Sequence, residues 1–243
     1  MTIIRKVKKV YRLLSLPGAL KYILKMIYPS VEHMHLIKIF DKINTVVDIG
    51  ANKGQFSSLI RILFPNAFIY AFEPLNNPAI FFKKAFKDDN HTKLFNLAIG
   101  PTDEIEEIHV SRREDSSSIL PITELQVINF PGTEEIKTEQ VVQKRLISVL
   151  DSICICKPAL LKIDVQGYEL QVLEGSKELL QYFDWIYVEC SFAELYKGQA
   201  LAWEIISSLS DHKFKLVGVY NIFYQNGVAI QGDFLFKQNF EKL

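Results

Sequence analysis

The stretch VVDIGANKGQF, residues 46–56, decides how the chain is read. A short apolar run leads into an acid, then into Gly50 and Gly54, then into a helical pattern that begins near Lys53. Glycines let the backbone come close to a ligand, and a helix N-terminus offers free N–H groups, so this order reads as a nucleotide-binding turn. A phosphate-binding loop needs Gly-Lys-Ser/Thr, which is absent. A dinucleotide turn needs G-x-G-x-x-G to seat a pyrophosphate; here the pattern is D-x-G-x-x-x-G, and Asp48 would repel an anion. The turn suits a ligand that carries positive charge.

S-adenosylmethionine meets that requirement, with a sulfonium and an ammonium beside an adenosine that has no phosphate. Asp48 is expected to face its cationic amino-acid end, with Gly50, Asn52, Gly54, Gln55 and Phe56 of the same turn contributing contacts. A second apolar run ends in FEP, which places Glu73 and Pro74 at the next strand end, near the offset where α/β nucleotide folds set a carboxylate on the ribose hydroxyls. A carboxylate accepts both hydrogen bonds of a diol. The third strand end, NLAIG at 96–100, would bring backbone groups of Leu97 and Ala98 to the adenine edge.

Outward from this turn, β-rich runs alternate with helical stretches. The runs are TVVDI, AFIYAFE, KLFNLAI, LLKID, WIYVEC, FKLVGVY and DFLF, and the helices are expected over 53–63, 77–87, 167–182 and 199–210. Such alternation predicts βαβ units and a mostly parallel α/β sheet with helices on both faces. The NIFYQNGVAIQG segment between the last two runs is too short for a helical crossover, so the final strand is expected to return antiparallel. Residues 101–150 break the alternation and read as an inserted hairpin with a loop able to overhang a site. Residues 1–42 form a separate N-terminal extension, in which Leu20, Ile23, Leu24, Ile27 and Tyr28 recur at helical spacing over 19–28 before Pro29. The α/β domain then spans 43–243.

The 243 residues are 49% hydrophobic, with 28 Lys+Arg balanced by 28 Asp+Glu. A core is affordable, and nothing in the balance favours a nucleic-acid partner. The charge is unevenly spread: residues 1–31 hold Arg5, Lys6, Lys8, Lys9, Arg12, Lys21 and Lys25 and no acid. That segment can pack on the domain, dock a partner, or lie on an anionic membrane surface. Three cysteines, Cys154, Cys156 and Cys190, make no disulfide framework and favour a reducing, cytoplasmic setting. Cys154 and Cys156 are expected to be small buried residues, and His33 and His35 ordinary surface ones. No continuous apolar run marks a secretory leader or a membrane span.

The fourth strand end reads LLKIDVQGYELQVLEG, so Asp164 should emerge at the rim beside the point where strand order reverses. With VDIGANKGQF, FEP, NLAIG, the DSSS run at Ser117, LISVLDSI, YVEC with Glu189 and the late GDFLF, the chain from about Val46 to Phe236 resembles the FkbM-type methyltransferases, a branch of the class I S-adenosylmethionine-dependent enzymes. KID-x-x-G-x-E is the most particular of these motifs; Gln166 stands where many members carry Glu. The resemblance implies a seven-stranded class I methyltransferase sheet with an antiparallel last strand, S-adenosylhomocysteine as product, and methylation of a hydroxyl on a sugar, glycan or small metabolite. It also brings Ser117 toward the cofactor or acceptor, though Ser116–Ser118 read equally as a solvated loop.

Methyl transfer to an alcohol calls for in-line positioning and for a base. Asp164 is the first candidate, also near the cofactor, and Glu189 the second or an orienting partner; Glu169 is expected to orient the strand end. The alternative for Asp164 is a cap on the following helix or a hold on Lys162. No metal is expected, because no third ligand accompanies the two acids. Other functions compatible with the turn are a nucleic-acid methyltransferase, for which the Asn/Asp-Pro-Pro-aromatic signal is missing, and a non-catalytic binding module.

Overall fold

The structure, a computed structural model, describes residues 11–13 and 15–239. Arg5, Lys6, Lys8 and Lys9 of the basic segment lie outside the described residues. Strands β1 (Thr45–Ile49), β2 (Phe68–Phe72), β3 (Thr92–Phe95), β7 (Ala159–Ile163), β8 (Trp185–Ser191), β9 (Phe214–Gln225) and β10 (Val228–Gln238) form one sheet in the order β3-β2-β1-β7-β8-β10-β9. β1 pairs in parallel with β2 and with β7, β2 with β3, and β7 with β8, while β10 runs antiparallel to both its neighbours. The sheet is therefore the mostly parallel one that the alternation predicts.

β1 and β7 are buried along their whole length, as strands covered on both faces must be. Successive side chains take opposite faces. Val46 joins Phe56 and Ile60 of α2 (Gln55–Leu63) on one side; Val47 and Ile49 join Val172 and Leu173 of α5 (Glu169–Ser176) and Ile205 of α6 (Ala202–Asp211) on the other. α3 (Asn76–Phe86) returns the chain from β2 to β3 and packs Phe82 and Phe86 against Ala51 and Ala71. Strand order reverses between β1 and β7, and the cleft opens beyond their carboxyl ends.

Several local expectations are corrected. KLFNLAI is not one strand: β3 stops at Phe95, and Ala98–Ile99 is β4, in a second sheet of order β4-β6-β5 with β5 (Glu104–Ser111) and β6 (Glu135–Lys144). Asn96 turns the chain between the two sheets by donating from its amide to the carbonyls of Glu73 (2.8 Å) and Pro74 (2.9 Å). The NIFYQNGVAIQG segment is strand almost throughout, because Asn226 (φ 50°) and Gly227 (φ 81°) close a two-residue hairpin. The 167–182 helix ends at Ser176 and is followed by a 3-10 turn at Leu180–Tyr182. Cys156 is exposed and Cys154 half-buried, since both lie in the turns before β7.

The N-terminal helix is also shorter than its periodicity suggests. α1 covers Ala19–Ile23, after which Met26 turns to φ 63° and the N–H groups of Ile27 and Met26 close back on Tyr22 and Ile23. This C-cap lets Ile27 drop into the same cluster as Tyr22 and Phe82. A 3-10 segment, Val31–Lys38, then crosses the domain and inserts Leu36 into the core. The 112–134 excursion between β5 and β6 carries α4 (Glu124–Asn129), whose cap Thr123 also donates to the carbonyl of Leu195 at 2.7 Å. That excursion is thus tied over the loop that follows β8, at the carboxyl ends of the strands.

Candidate active site

A cleft of about 850 Å³ lies at the carboxyl ends of β1, β2, β7 and β8, within the range that holds a sizeable ligand. Gly50, Asn52, Gln55, Phe56, Glu73, Pro74, Leu97, Ala98, Ser117, Asp164 and Glu189 all line it. Gly54 does not; it sits behind the turn against Phe82 and Phe86, where a Cβ would come within 3 Å of each ring. Gly50 has φ 77°, and a Cβ there would lie 1.7 Å from the carbonyl oxygen of Asp164. This glycine lets the β1 turn and the β7 end touch.

Asp48 also stays out of the cleft, which corrects its expected contact with the cationic end of the cofactor. It is fully buried beneath the turn, accepting from Ser57 Oγ at 2.7 Å and pairing with Lys162 Nζ at 3.1 Å. Lys162 also donates to the carbonyl of Gly50 and lies 3.6 Å from Asp164. Burial alone would lower the lysine pKa, but Asp48 and Asp164 outweigh it and hold the ammonium above its usual value. The three groups sum to one negative charge, and the carboxylate that meets the cleft is Asp164.

Glu73 lies inside the cleft. Its Oε2 accepts from Asn52 N–H and its Oε1 from Leu75 N–H, each at 2.9 Å. Each oxygen keeps a second lone pair for a ribose hydroxyl. Burial raises its pKa to about 7, against the lowering effect of those two backbone donors. Leu97 lines the cleft, while Ala98 is already paired with Gln143 of β6, so its backbone is shared with that ladder. Ser117 Oγ accepts from Ser111 N–H at 3.0 Å, which ties the excursion down beside the cleft. These features fit S-adenosylmethionine: a diol acceptor, a close-approach glycine, a helix N-terminus without acid in its first turn, and a net negative rim.

At the other end of the cleft, Gln166 (φ 59°) joins the two candidate bases. Its Nε2 donates to Asp164 Oδ1 at 2.9 Å and to Glu189 Oε2 at 2.7 Å, and its Oε1 accepts from Tyr196 OH at 2.8 Å. Burial, then Asp164 and Asp233, push the Glu189 pKa well above its usual value. Glu169 is buried and accepts from the N–H groups of Gly167 and Val165, holding the β7 end. Asp233, Asn221 and Gln231 of the terminal hairpin complete this polar wall.

His33 lines the same wall, correcting its expected place as a surface residue. Its side chain is 18% exposed, with Nδ1 2.9 Å from Tyr187 OH and 3.4 Å from Asp233 Oδ2. His35 stacks on Tyr220 at 4.0 Å. No hydrophobic period marks either histidine; only the fold, by laying the 3-10 segment across β8 and β10, brings them in. Tyr196, Asn96 and Asn221 escape sequence reasoning for the same reason. Among the described residues no group of three His, Cys, Asp or Glu is arranged to hold a metal ion.

The sheet order, the cleft at its switch point and the carboxylate on the second strand define a class I S-adenosylmethionine-dependent methyltransferase. Residues 48–216 match the Methyltransferase FkbM domain, and the chain belongs to that family. The 2-O-methyltransferase NoeI of Sinorhizobium fredii is 29% identical over 179 residues, 69% of this chain and 72% of that protein. Among solved structures, a precorrin-6y C5,15-methyltransferase from Geobacter metallireducens is 11% identical, covers 86% of this chain and 88% of its own, and has a TM-score of 0.48. Magnesium protoporphyrin IX methyltransferase from Synechocystis, solved with bound S-adenosylmethionine, is 10% identical over 86% of this chain and 77% of its own, with a TM-score of 0.47.

Proposed function

We propose that this methyltransferase acts on a hydroxyl oxygen of a sugar, glycan or similar polyol. The observation that carries the reading is the wall beyond Asp164: Glu189, Asp233, Asn221, Gln166 and Gln231 present amide and carboxyl groups, with Phe56 and Phe223 as flat apolar faces among them. Hydroxyl groups both donate and accept, so such a wall satisfies a polyol, whereas clustered acids repel a phosphodiester backbone. The 2-O-methyltransferase relative supports transfer to oxygen. When bound, S-adenosylmethionine supplies an electrophilic methyl group. The protein's part is to hold the acceptor oxygen in line with it, exclude water and receive the hydroxyl proton.

The test is radiolabelled methyl transfer to a panel of glycosides, glycolipids and total RNA, after calorimetry with S-adenosylmethionine. Label in a glycoside that survives mild alkali, as an ether does, supports the reading. Label in RNA, or in an alkali-labile ester, overturns it, and absence of cofactor binding points to a non-catalytic module.

We further propose that the basic N-terminal segment lies against an anionic membrane surface. Leu20, Leu24, Met26 and Tyr28 are 64%, 77%, 68% and 54% exposed, and Met26 and Tyr28 stand at the cleft. An acceptor carried on a lipid would then enter from the membrane side.

A further inference from the structure

We infer that His33, from the 3-10 segment ahead of the sheet, is the base that takes the proton from the acceptor hydroxyl; this deepens the O-methylation reading and rests on it. The position comes first. The ring lines the cleft near Glu189 and Asp233 and is held edge-on between Phe56, at 5.6 Å, and Tyr187, at 5.5 Å. Two aromatic neighbours on different elements fix its plane.

The hydrogen-bond chain then fixes which ring nitrogen is bare. His35 Nδ1 lies 3.1 Å from the carbonyl oxygen of Glu32, an acceptor only, so this nitrogen carries a hydrogen. Burial lowers the His35 pKa, which keeps the ring neutral and its Nε2 an acceptor. Tyr187 OH lies 3.4 Å from that Nε2 and is hydrogen-bonded to the Asp233 carboxylate, which only accepts, so its single proton is given to Asp233 and its oxygen is left to accept. Burial raises the Tyr187 pKa, so the hydroxyl is intact at neutral pH. His33 Nδ1, 2.9 Å from that oxygen, is therefore the donor. Asn221 Nδ2 also approaches this nitrogen, at 3.4 Å, but its short bond is the 2.7 Å one to Asp233 Oδ2. With its proton on Nδ1, His33 keeps a lone pair on Nε2, which has no hydrogen-bond partner among the described residues.

The competing acids are less available. A proton on Asp164 would break its pairing with Lys162, and Glu189 Oε2 is already engaged by Gln166 Nε2 at 2.7 Å. In the step, the acceptor oxygen forms a bond to the methyl carbon as the carbon–sulfur bond breaks, and its electron pair returns to sulfur. The hydroxyl proton passes to His33 Nε2. The positive charge thus moves from the sulfonium to an imidazolium, 3.4 Å from the Asp233 carboxylate, and leaves as a proton to water. Tyr187 and Asp233 act through His33 and are positioning residues.

The test uses the full chain with ¹⁵N-labelled histidine and S-adenosylhomocysteine. Long-range ¹H–¹⁵N spectra, assigned by loss of one ring system in His33→Gln, are expected to show His33 protonated at Nδ1 and bare at Nε2. Tyr187→Phe should shift it toward the Nε2–H form. A wild-type ring with its hydrogen on Nε2 overturns the assignment without any acceptor in hand. If S-adenosylhomocysteine fails to bind by calorimetry, the methyltransferase reading of the site fails instead; if it binds and the tautomer is wrong, only the base is misassigned. With a methylated glycoside identified, His33→Gln should lower kcat by about 10²- to 10⁴-fold while cofactor affinity holds; unchanged kcat overturns the proposal.

Discussion

Glu73 and Gln166 show how single side chains set the electrostatics of the cleft. Glu73 has its pKa raised to about 7 by burial, so the folded protein binds a proton there that the unfolded chain releases at lower pH. For such an acid, stability declines as pH rises through the unfolded value and on to the folded one; between about pH 5 and 8 wild-type Tm should fall more than that of Glu73→Gln. Ribose hydroxyls donate to the ionised form, so S-adenosylhomocysteine affinity should rise across the same interval in wild type. Calorimetry should find Glu73→Gln about ten- to a hundredfold weaker and without that rise, because a charged acceptor contributes about 1.5–3 kcal/mol per hydrogen bond. Gln166 gives the opposite experiment, since its amide is the donor that Asp164 and Glu189 share. Gln166→Glu offers one donor in place of two while protonated, and none once ionised. Its Tm deficit should therefore grow as pH rises, reaching a few degrees for the ~1–3 kcal/mol that an unsatisfied buried polar group costs. A deficit independent of pH would show that the amide acts by shape alone.

At the scale of elements, the β1 turn and the β7 end are one device. Gly50→Ala would set a methyl group 1.7 Å from the Asp164 carbonyl at a φ of 77°, so the two strand ends must separate. Thermal melting should show a loss above ~1 kcal/mol, and calorimetry a loss of cofactor binding larger than the stability loss explains. This junction was legible in the sequence because both halves carry local signals, the glycine turn after TVVDI and the acid after LLKI. The buried place of Asp48 was not legible, because it depends on a lysine more than a hundred residues away reaching under the turn. The polar wall beyond Asp164 was legible only as Asp164, Glu189 and the GDFLF run. His33, Tyr196 and Asn221 come from a 3-10 segment, a loop and a bulged hairpin, whose side chains follow no simple period. The hairpin turn at Asn226-Gly227 did carry a signal, an Asn-Gly pair between β-rich runs.

For the whole molecule, charge is segregated. Residues 1–31 hold seven of the 28 cations and no acid, so that segment carries +7, and the remainder, with 21 cations against 28 acids, −7. An acidic body would be repelled by anionic lipid, whereas the N-terminal segment would be attracted, and its exposed Leu20 and Leu24 would enter the interface once there. The two contributions separate by experiment. The full chain should co-sediment with vesicles containing phosphatidylserine and not with phosphatidylcholine alone. Binding should weaken steeply as salt rises, because each basic residue near the surface contributes about 1 kcal/mol within a Debye length. Leu20→Ser with Leu24→Ser should reduce binding at every salt concentration while leaving S-adenosylhomocysteine affinity unchanged, since neither leucine lines the cleft. Binding that ignores lipid charge, or survives both serines, would remove the membrane from the proposal and leave the segment as packing over the domain.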